Sequence, residues 1–123
     1  RIEALPDKSL SDRQCRDIKR YVEQHLADPL LTVGQIAEVH RTSKRYLHWL
    51  FRSEPLTLNE FIIFRRLEHC RADLLDPDRA HLHVSQIAYA WGFANVSHFS
   101  KRYRALFNES PTQTRQNVRA RSA

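Results

Sequence analysis

The chain holds no methionine and only two glycines, Gly34 and Gly92, in its 123 residues. A sheet protein built on tight turns needs more glycine, because hairpins demand left-handed backbone. The scarcity favours an all-α fold and makes each glycine worth explaining. Cysteine is equally sparse: Cys15 and Cys70 stand far apart, with no CxxC pair. One disulfide stays open on this count, but a buried, reduced pair in a cytoplasmic protein is the expectation. No apolar run approaches a membrane span; the longest candidate, Phe61 to Phe64, is far too short. No stretch reads as a signal peptide. Because the chain starts at Arg1 without a methionine, it is expected to be a piece of a longer protein.

What is present is a core and a positive charge. Apolar residues make up 41% of the chain, enough to bury a hydrophobic core and to argue against disorder. The length fits one compact domain, or two very small ones. The net charge of +6 and the pI of about 9.8 suggest an anionic partner: nucleic acid, a membrane surface or an acidic protein. The charge is sorted along the chain. Residues 39–53 contain Arg41, Lys44, Arg45 and Arg52 and no acid. From Arg79 onward seven basic residues stand against one acid, Glu109.

Helix-start signals recur. Ser11-Asp12-Arg13-Gln14, Thr32-Val33-Gly34-Gln35, Thr57-Leu58-Asn59-Glu60 and Ser110-Pro111-Thr112-Gln113 all fit a capping box, in which two side chains satisfy orphan amides reciprocally. Pro111 falls at a first helical position, where its missing donor costs nothing. Residues 1–10 read as a linker ahead of the first helix. That helix carries Ile18, Tyr21, Val22 and Leu26 on one face and stops at Asp28-Pro29. A long helix is predicted from Leu58 to Leu75, with Phe61, Phe64, Leu67, Ala72, Leu74 and Leu75 as its apolar positions and Asp76-Pro77-Asp78 as its stop. A further short helix is predicted over 85–91.

An internal repeat is the strongest feature. Thr32-Val33-Gly34-Gln35-Ile36-Ala37 aligns with His83-Val84-Ser85-Gln86-Ile87-Ala88 at an offset of 51 residues. Leu47/Phe99 and Phe51/Tyr103 align at an offset of 52, so the second copy has gained one residue. The spacing is that of two short helices crossing through a tight turn. Ala37 and Ala88 supply the small residue at the crossing. Four residues later the turn wants a left-handed backbone, where Gly92 sits without strain. Arg41 occupies that place in the first copy. It costs roughly 1–2 kcal/mol there, so the first turn is either less ideal or different.

With the duplication, several motifs agree in residue type and spacing: Ile87-Ala88, Gly92-Phe93, Ser97-His98-Phe99-Ser100-Lys101-Arg102-Tyr103 and Ser110-Pro111. The first half matches more loosely, in Ile36-Ala37, Ser43, Arg45-Tyr46-Leu47, Leu50-Phe51-Arg52 and Glu60-Phe61. On these residues the chain resembles the AraC/XylS family of bacterial transcription regulators over residues 14–116. Arg41, Pro55 and Asn108 stand where glycine is usual in that family, and Thr114 where an aromatic is common. The resemblance implies about seven helices: a first helix-turn-helix subdomain over 11–56, a connecting helix over 57–76 and a second subdomain over 77–123. It also implies double-stranded DNA and RNA polymerase as partners, activation in the cytoplasm, no cofactor, and an N-terminal effector or dimerisation domain outside this chain.

Recognition helices are expected over 43–52 and 95–105. In the first, Leu47, Leu50 and Phe51 face inward. Lys44, Arg45, His48, Trp49 and Arg52 point elsewhere, with Arg45 suited to guanine, His48 to an acceptor and Trp49 to a thymine methyl. For Trp49, packing against a neighbouring helix is the competing role. The resemblance places Arg45, His48 and Trp49 at base-reading positions. In the second, Phe99, Tyr103 and Leu106 face inward, and Ser97, His98, Ser100, Lys101 and Arg102 are exposed candidates. Val96 is core by spacing and groove-facing by resemblance. Lys101 and Arg102 suit phosphate better than bases, since most protein–DNA hydrogen bonds go to the backbone. Helix starts at Thr32, Ser43 and Ser110 are further phosphate candidates.

Rival functions fare worse. The seven histidines include His81-Leu82-His83, a pair with no third ligand nearby, so no metal site is expected. No nucleophile elbow, phosphate loop or acid–base pair appears, which argues against an enzyme. A helical protein-interaction module reusing the fold would have no need of exposed basic recognition helices. Membrane-surface binding lacks an amphipathic helix with a separate basic face.

Overall fold

The computed structural model describes residues 8–122. Among the described residues run seven α-helices, a single 3-10 turn and no strand. The helices are α1 (Lys8–His25), α2 (Val33–Val39), α3 (Lys44–Leu50), α4 (Leu58–Leu75), α5 (Val84–Ala90), α6 (Val96–Phe107) and α7 (Pro111–Ser122); the 3-10 turn is Pro77–Arg79. The all-α reading holds. None of these helices is long and apolar enough to cross a membrane.

The four capping signals meet different fates in the fold. Thr57 and Glu60 close a reciprocal box, with Thr57 N donating to Glu60 Oε1 at 2.9 Å and Glu60 N to Thr57 Oγ1 at 3.1 Å. Ser110 and Gln113 do the same at 2.7 and 3.1 Å. Thr32 accepts from Gln35 N at 3.1 Å, but Gln35 Nε2 turns away to donate to the Tyr21 hydroxyl at 2.8 Å. Ser11 is no cap. Helix α1 begins at Lys8, and Ser11 is buried inside it, its hydroxyl donating to Lys8 O at 3.1 Å. Ser11 lies one turn ahead of Cys15 and Ile18 on the inward stripe, and burying that stripe carries the helix past the cap motif. Residues 8–10, expected in the linker, are therefore helical; residues 1–7 lie outside the described residues.

The chain divides into two compact units. The first takes the chain up to His25 together with Leu30–Ile62. Its core is Cys15, Ile18 and Val22 of α1, Ile36 and Ala37 of α2, Leu47 and Leu50 of α3, Phe51, and Leu58 and Ile62 of α4, all buried. The second takes Leu26–Pro29 and the chain from Ile63 on. Its core is Leu67, Cys70, Leu74, Ile87, Ala88, Phe99 and Tyr103, with Val84, Trp91, Phe93 and Phe107 packed against it. Each such large apolar side chain contributes about 1.5–3 kcal/mol when buried.

Helix α4 keeps the predicted bounds, but only some of its named apolar positions are buried. Its buried positions are Leu58, Ile62, Arg66, Leu67, Cys70 and Leu74. Phe61 and Phe64 are only half-buried and Ala72 is exposed. The reason is that one helix serves two cores, so no single apolar stripe runs its length.

Both tight turns are built alike. Thr42 N donates to Ala37 O at 2.9 Å and Arg41 N to Glu38 O at 3.1 Å; fifty-one residues on, Phe93 N donates to Ala88 O at 3.1 Å and Gly92 N to Tyr89 O at 3.0 Å. These paired bonds are the Schellman motif that ends a helix on a left-handed residue. That residue is Arg41 (φ 52°) in the first turn and Gly92 (φ 92°) in the second. Of the two readings offered for Arg41, the same turn under strain is the one observed.

Gly92 is constrained twice over. A Cβ there would lie 2.6 Å from Leu26 O and 2.8 Å from Arg66 Nη2. Arg66 is only 8% exposed, and its guanidinium donates to Leu26 O at 2.9 Å and to Asp28 O at 2.7 Å. Burial pulls the Arg66 pKa below its ordinary value, an effect partly opposed by nearby Asp28.

Candidate nucleic-acid interface

In the first unit, α3 starts on Ser43, whose hydroxyl accepts from Tyr46 N at 3.0 Å. Leu47, Leu50 and Phe51 turn inward and are buried. Lys44, Arg45, His48 and Arg52 are exposed and Trp49 is half-buried. Arg45, His48, Trp49 and Arg52 follow the i, i+3, i+4, i+7 spacing that puts residues on one helical face. The Lys44 stem crosses Gly34, where a Cβ would meet Lys44 Cε at 3.1 Å. A side chain at position 34 would need only this flexible stem to give by a few tenths of an ångström, and Gly34 has no left-handed backbone, so neither feature demands a glycine in α2.

Trp49 has definite neighbours. Its ring stacks on Tyr46, with centroids 5.6 Å apart and planes at 27°. The Arg52 guanidinium lies 3.8 Å from the indole centroid, and Arg52 Nη1 donates to Trp49 O at 2.9 Å. Tyr46 in turn donates its hydroxyl to Gln14 Oε1 of α1. The ring partners of Trp49 thus come from its own helix and the turn behind it. By contrast, the side chains of Arg45 and His48 carry no hydrogen bond or ion pair among the described residues.

In the second unit, α6 starts on Asn95, whose side chain accepts from His98 N at 2.9 Å, and ends on Asn108 in the left-handed conformation. Phe99 and Tyr103 are buried. Leu106, expected inward, is 38% exposed. Phe107 takes its place, packing against Tyr103 with centroids 4.6 Å apart and planes tilted by 55°. The inward stripe Phe99, Tyr103, Phe107 steps by four, so Leu106 falls beside it. Ser97, His98, Lys101 and Arg102 are exposed, and Val96 and Ser100 are half-buried on the flank.

One basic residue escaped the sequence reading. Arg104 is exposed and joins Ser100, Lys101, Ser110, Pro111 and Thr112 around a cleft of about 400 Å³ at the start of α7. The signal was its position seven residues after Ser97, on the same face. Of the other proposed phosphate sites, Thr32 and Ser43 cap helices of only seven residues.

Neither α3 nor α6 contains an acid, so nothing on these helices neutralises Lys44, Arg45, Lys101, Arg102 and Arg104. Burial pushes Cys15 up and Cys70 up to about 12, lowers Arg66 and Arg115, and raises Tyr103. Tyr103 is held from the buried side of α6: its hydroxyl pairs at 2.8 Å with that of Thr114, which donates to Glu109. Thr114, in the place of an aromatic, is buried because it completes this polar chain.

A family model described as a helix-turn-helix domain matches residues 36–117. The transcriptional activator NphR of Rhodococcus is 38% identical over 94 residues, covering 76% of this chain and 27% of that protein. The chain spans between 27% and 33% of the length of three curated relatives that it matches. A solved structure of a probable AraC family transcriptional regulator from Rhodopseudomonas palustris superposes with a TM-score of 0.72 at 29% identity, covering 84% of this chain and 94% of that one. The C-terminal domain of AraT, a response regulator from Geobacillus stearothermophilus, shares the fold with a TM-score of 0.76 at 23% identity, covering 83% of each chain. The duplicated turn, the acid-free exposed helices and these likenesses agree: the chain belongs to the AraC/XylS family of transcription regulators and corresponds to their DNA-binding helix-turn-helix domain.

Proposed function

We propose that the chain binds double-stranded DNA sequence-specifically, with α3 and α6 entering successive major grooves on one face of the duplex. The observation that carries this reading is the acid-free outer face formed by exposed Arg45 and His48 and half-buried Trp49 of α3, with exposed Arg52 in the turn that follows, anchored by the buried Leu47, Leu50 and Phe51. A major groove admits one helix and presents the donors, acceptors and methyl groups that such a face can read. Arg45 reads guanine and His48 a base acceptor. In α6, Val96, Ser97, His98 and Ser100 lie nearest the groove floor, while Lys101 and Arg102 hold phosphates. Arg104 and the cleft at Ser110–Thr112 belong to the same phosphate-binding edge.

Two readers in successive grooves need centres about 34 Å apart. Any mismatch falls to the DNA, whose bending costs of order 1–6 kcal/mol. Modest bending is therefore expected, and a phasing assay that finds straight DNA would remove that part of the reading. RNA polymerase, and an effector or dimerisation domain elsewhere in the full protein, are the further partners proposed, with activation in the cytoplasm as the outcome. The greater length of the matched relatives supports the extra domain.

Selection from a random duplex library, followed by mobility shift at two salt concentrations, tests the core of the reading. A defined site should emerge, and its affinity should fall with salt as phosphate contacts release counterions. Salt-independent or absent binding would favour a protein-interaction module instead.

A further inference from the structure

The outward residues of α3 and of the turn that follows it are not equally free. Arg45 and His48 have no intramolecular partner among the described residues, but Arg52 is engaged twice by a single neighbour. Its guanidinium stacks 3.8 Å from the Trp49 ring centroid while Nη1 donates to the Trp49 carbonyl at 2.9 Å. We propose that Arg52 is a positioning residue, which with Tyr46 holds Trp49 as a fixed indole surface that selects thymine in the major groove. The proposal rests on the reading of α3 as a DNA-reading helix.

The physical argument begins with the guanidinium. It is planar and weakly hydrated, so it lies on an indole face while its in-plane donors reach sideways to a carbonyl. Arg52 makes this pair of contacts with the side chain and the backbone of the same residue, three positions back. Tyr46, three positions before Trp49, supplies the second ring contact, and its hydroxyl is tied to Gln14 of α1 within the same unit. Trp49 is thus braced from both directions along the chain before any ligand arrives. A side chain already held in place gives up less freedom on binding.

The choice of base follows from the indole. Its edge is apolar except for Nε1–H, which donates only, and that donor has no partner among the described residues. In the major groove thymine offers a C5 methyl beside the O4 acceptor. Cytosine puts an N4 donor where O4 would be, so 5-methylcytosine keeps the methyl but opposes donor to donor. Thymine is the base that satisfies both parts of the indole edge.

Two measurements on the chain separate the clamp from its DNA role. With 5-fluorotryptophan incorporated, the fluorine spectrum carries one signal from Trp49 and one from Trp91, since the chain has two tryptophans. Arg52→Ala should move and sharpen the Trp49 signal and leave that of Trp91 in place. An unchanged spectrum overturns the clamp. On the selected duplex, each thymine is replaced in turn by uracil. At one position the wild-type chain should bind about fourfold more weakly, the worth of one buried methyl at about 0.8 kcal/mol. Trp49→Ala should abolish that preference, and 5-methylcytosine should not restore it. Arg52→Ala should still bind but shrink the preference below twofold. If Arg52→Ala instead weakens both duplexes alike and lowers the salt slope by about one, Arg52 is a plain phosphate contact and the proposal fails. If the chain binds no duplex, the DNA reading itself fails, and the fluorine spectrum still decides the clamp.

Discussion

The two tight turns make a paired experiment, because equivalent substitutions should have opposite signs. Gly92→Ala places a methyl 2.6 Å from Leu26 O and 2.8 Å from Arg66 Nη2, on a backbone at φ 92°. The left-handed backbone alone costs an ordinary residue about 1–2 kcal/mol. The methyl must also displace either a backbone carbonyl or the buried Arg66 guanidinium, whose bonds to Leu26 O and Asp28 O are then weakened. A hydrogen bond to a charged group contributes about 1.5–3 kcal/mol. The two effects sum to about 2.5–5 kcal/mol, a large share of the 5–15 kcal/mol typical of a domain. Arg41→Gly does the reverse, releasing an exposed residue from φ 52°. Greater freedom in the unfolded chain offsets part of that gain, leaving up to about 1 kcal/mol of stabilisation. Urea denaturation followed by circular dichroism reads both changes. Gly92→Ala losing less than about 1 kcal/mol would refute the argument, because it would mean that the site can relax without disturbing Arg66.

Thr114→Val should cost about 1–3 kcal/mol by stranding the buried Tyr103 hydroxyl, and adding Tyr103→Phe should recover part of the loss; thermal melts of the three variants check this, and strict additivity would contradict it. The Cys70 thiol, desolvated by burial, is pushed from its ordinary 9.0 up to about 12. Its raised value means that this contribution to stability is complete below pH 9 and is lost as pH climbs from 9 towards 12. Unfolding free energy should therefore fall between pH 9 and 10.5, by up to about 1.4 kcal/mol per pH unit from this group, and fall less in Cys70→Ala; a flat profile would count against it. On a selected duplex, Arg45→Ala should lose about 1–3 kcal/mol at a single base position, whereas Arg104→Ala should weaken all duplexes alike and reduce the salt slope by about one; competition binding against single-base variants distinguishes the two.

Much of this molecule is local in origin, and that part was legible from the chain alone. The bounds of α4 follow from the Thr57–Glu60 box and the Asp76-Pro77-Asp78 stop, which act within a few residues. The paired turns follow from Ala37, Ala88 and Gly92 at fixed spacing, and the residue-by-residue repeat carried the family. The inward Leu47, Leu50 and Phe51, and Phe99 and Tyr103, follow from helical period. Other features needed the tertiary structure. Ser11 carries a cap's residue type, but burial of its stripe against the first core made it interior helix. Leu106 matches an apolar pattern as well as Phe107 does, and only the packing around Tyr103 chose between them. Which apolar positions of α4 are buried was also left to packing, because two cores draw on one helix. Arg66 looks like any surface arginine until Leu26 and Asp28 turn their carbonyls to it from forty and thirty-eight residues away. The hold of Arg52 on Trp49 likewise depends on side-chain placement. Outside α1, short-range signals settle where these helices begin, turn and end, because capping and backbone strain act over one turn. Which side chains meet across the chain is decided by packing, because burial rewards whichever residue fills the space.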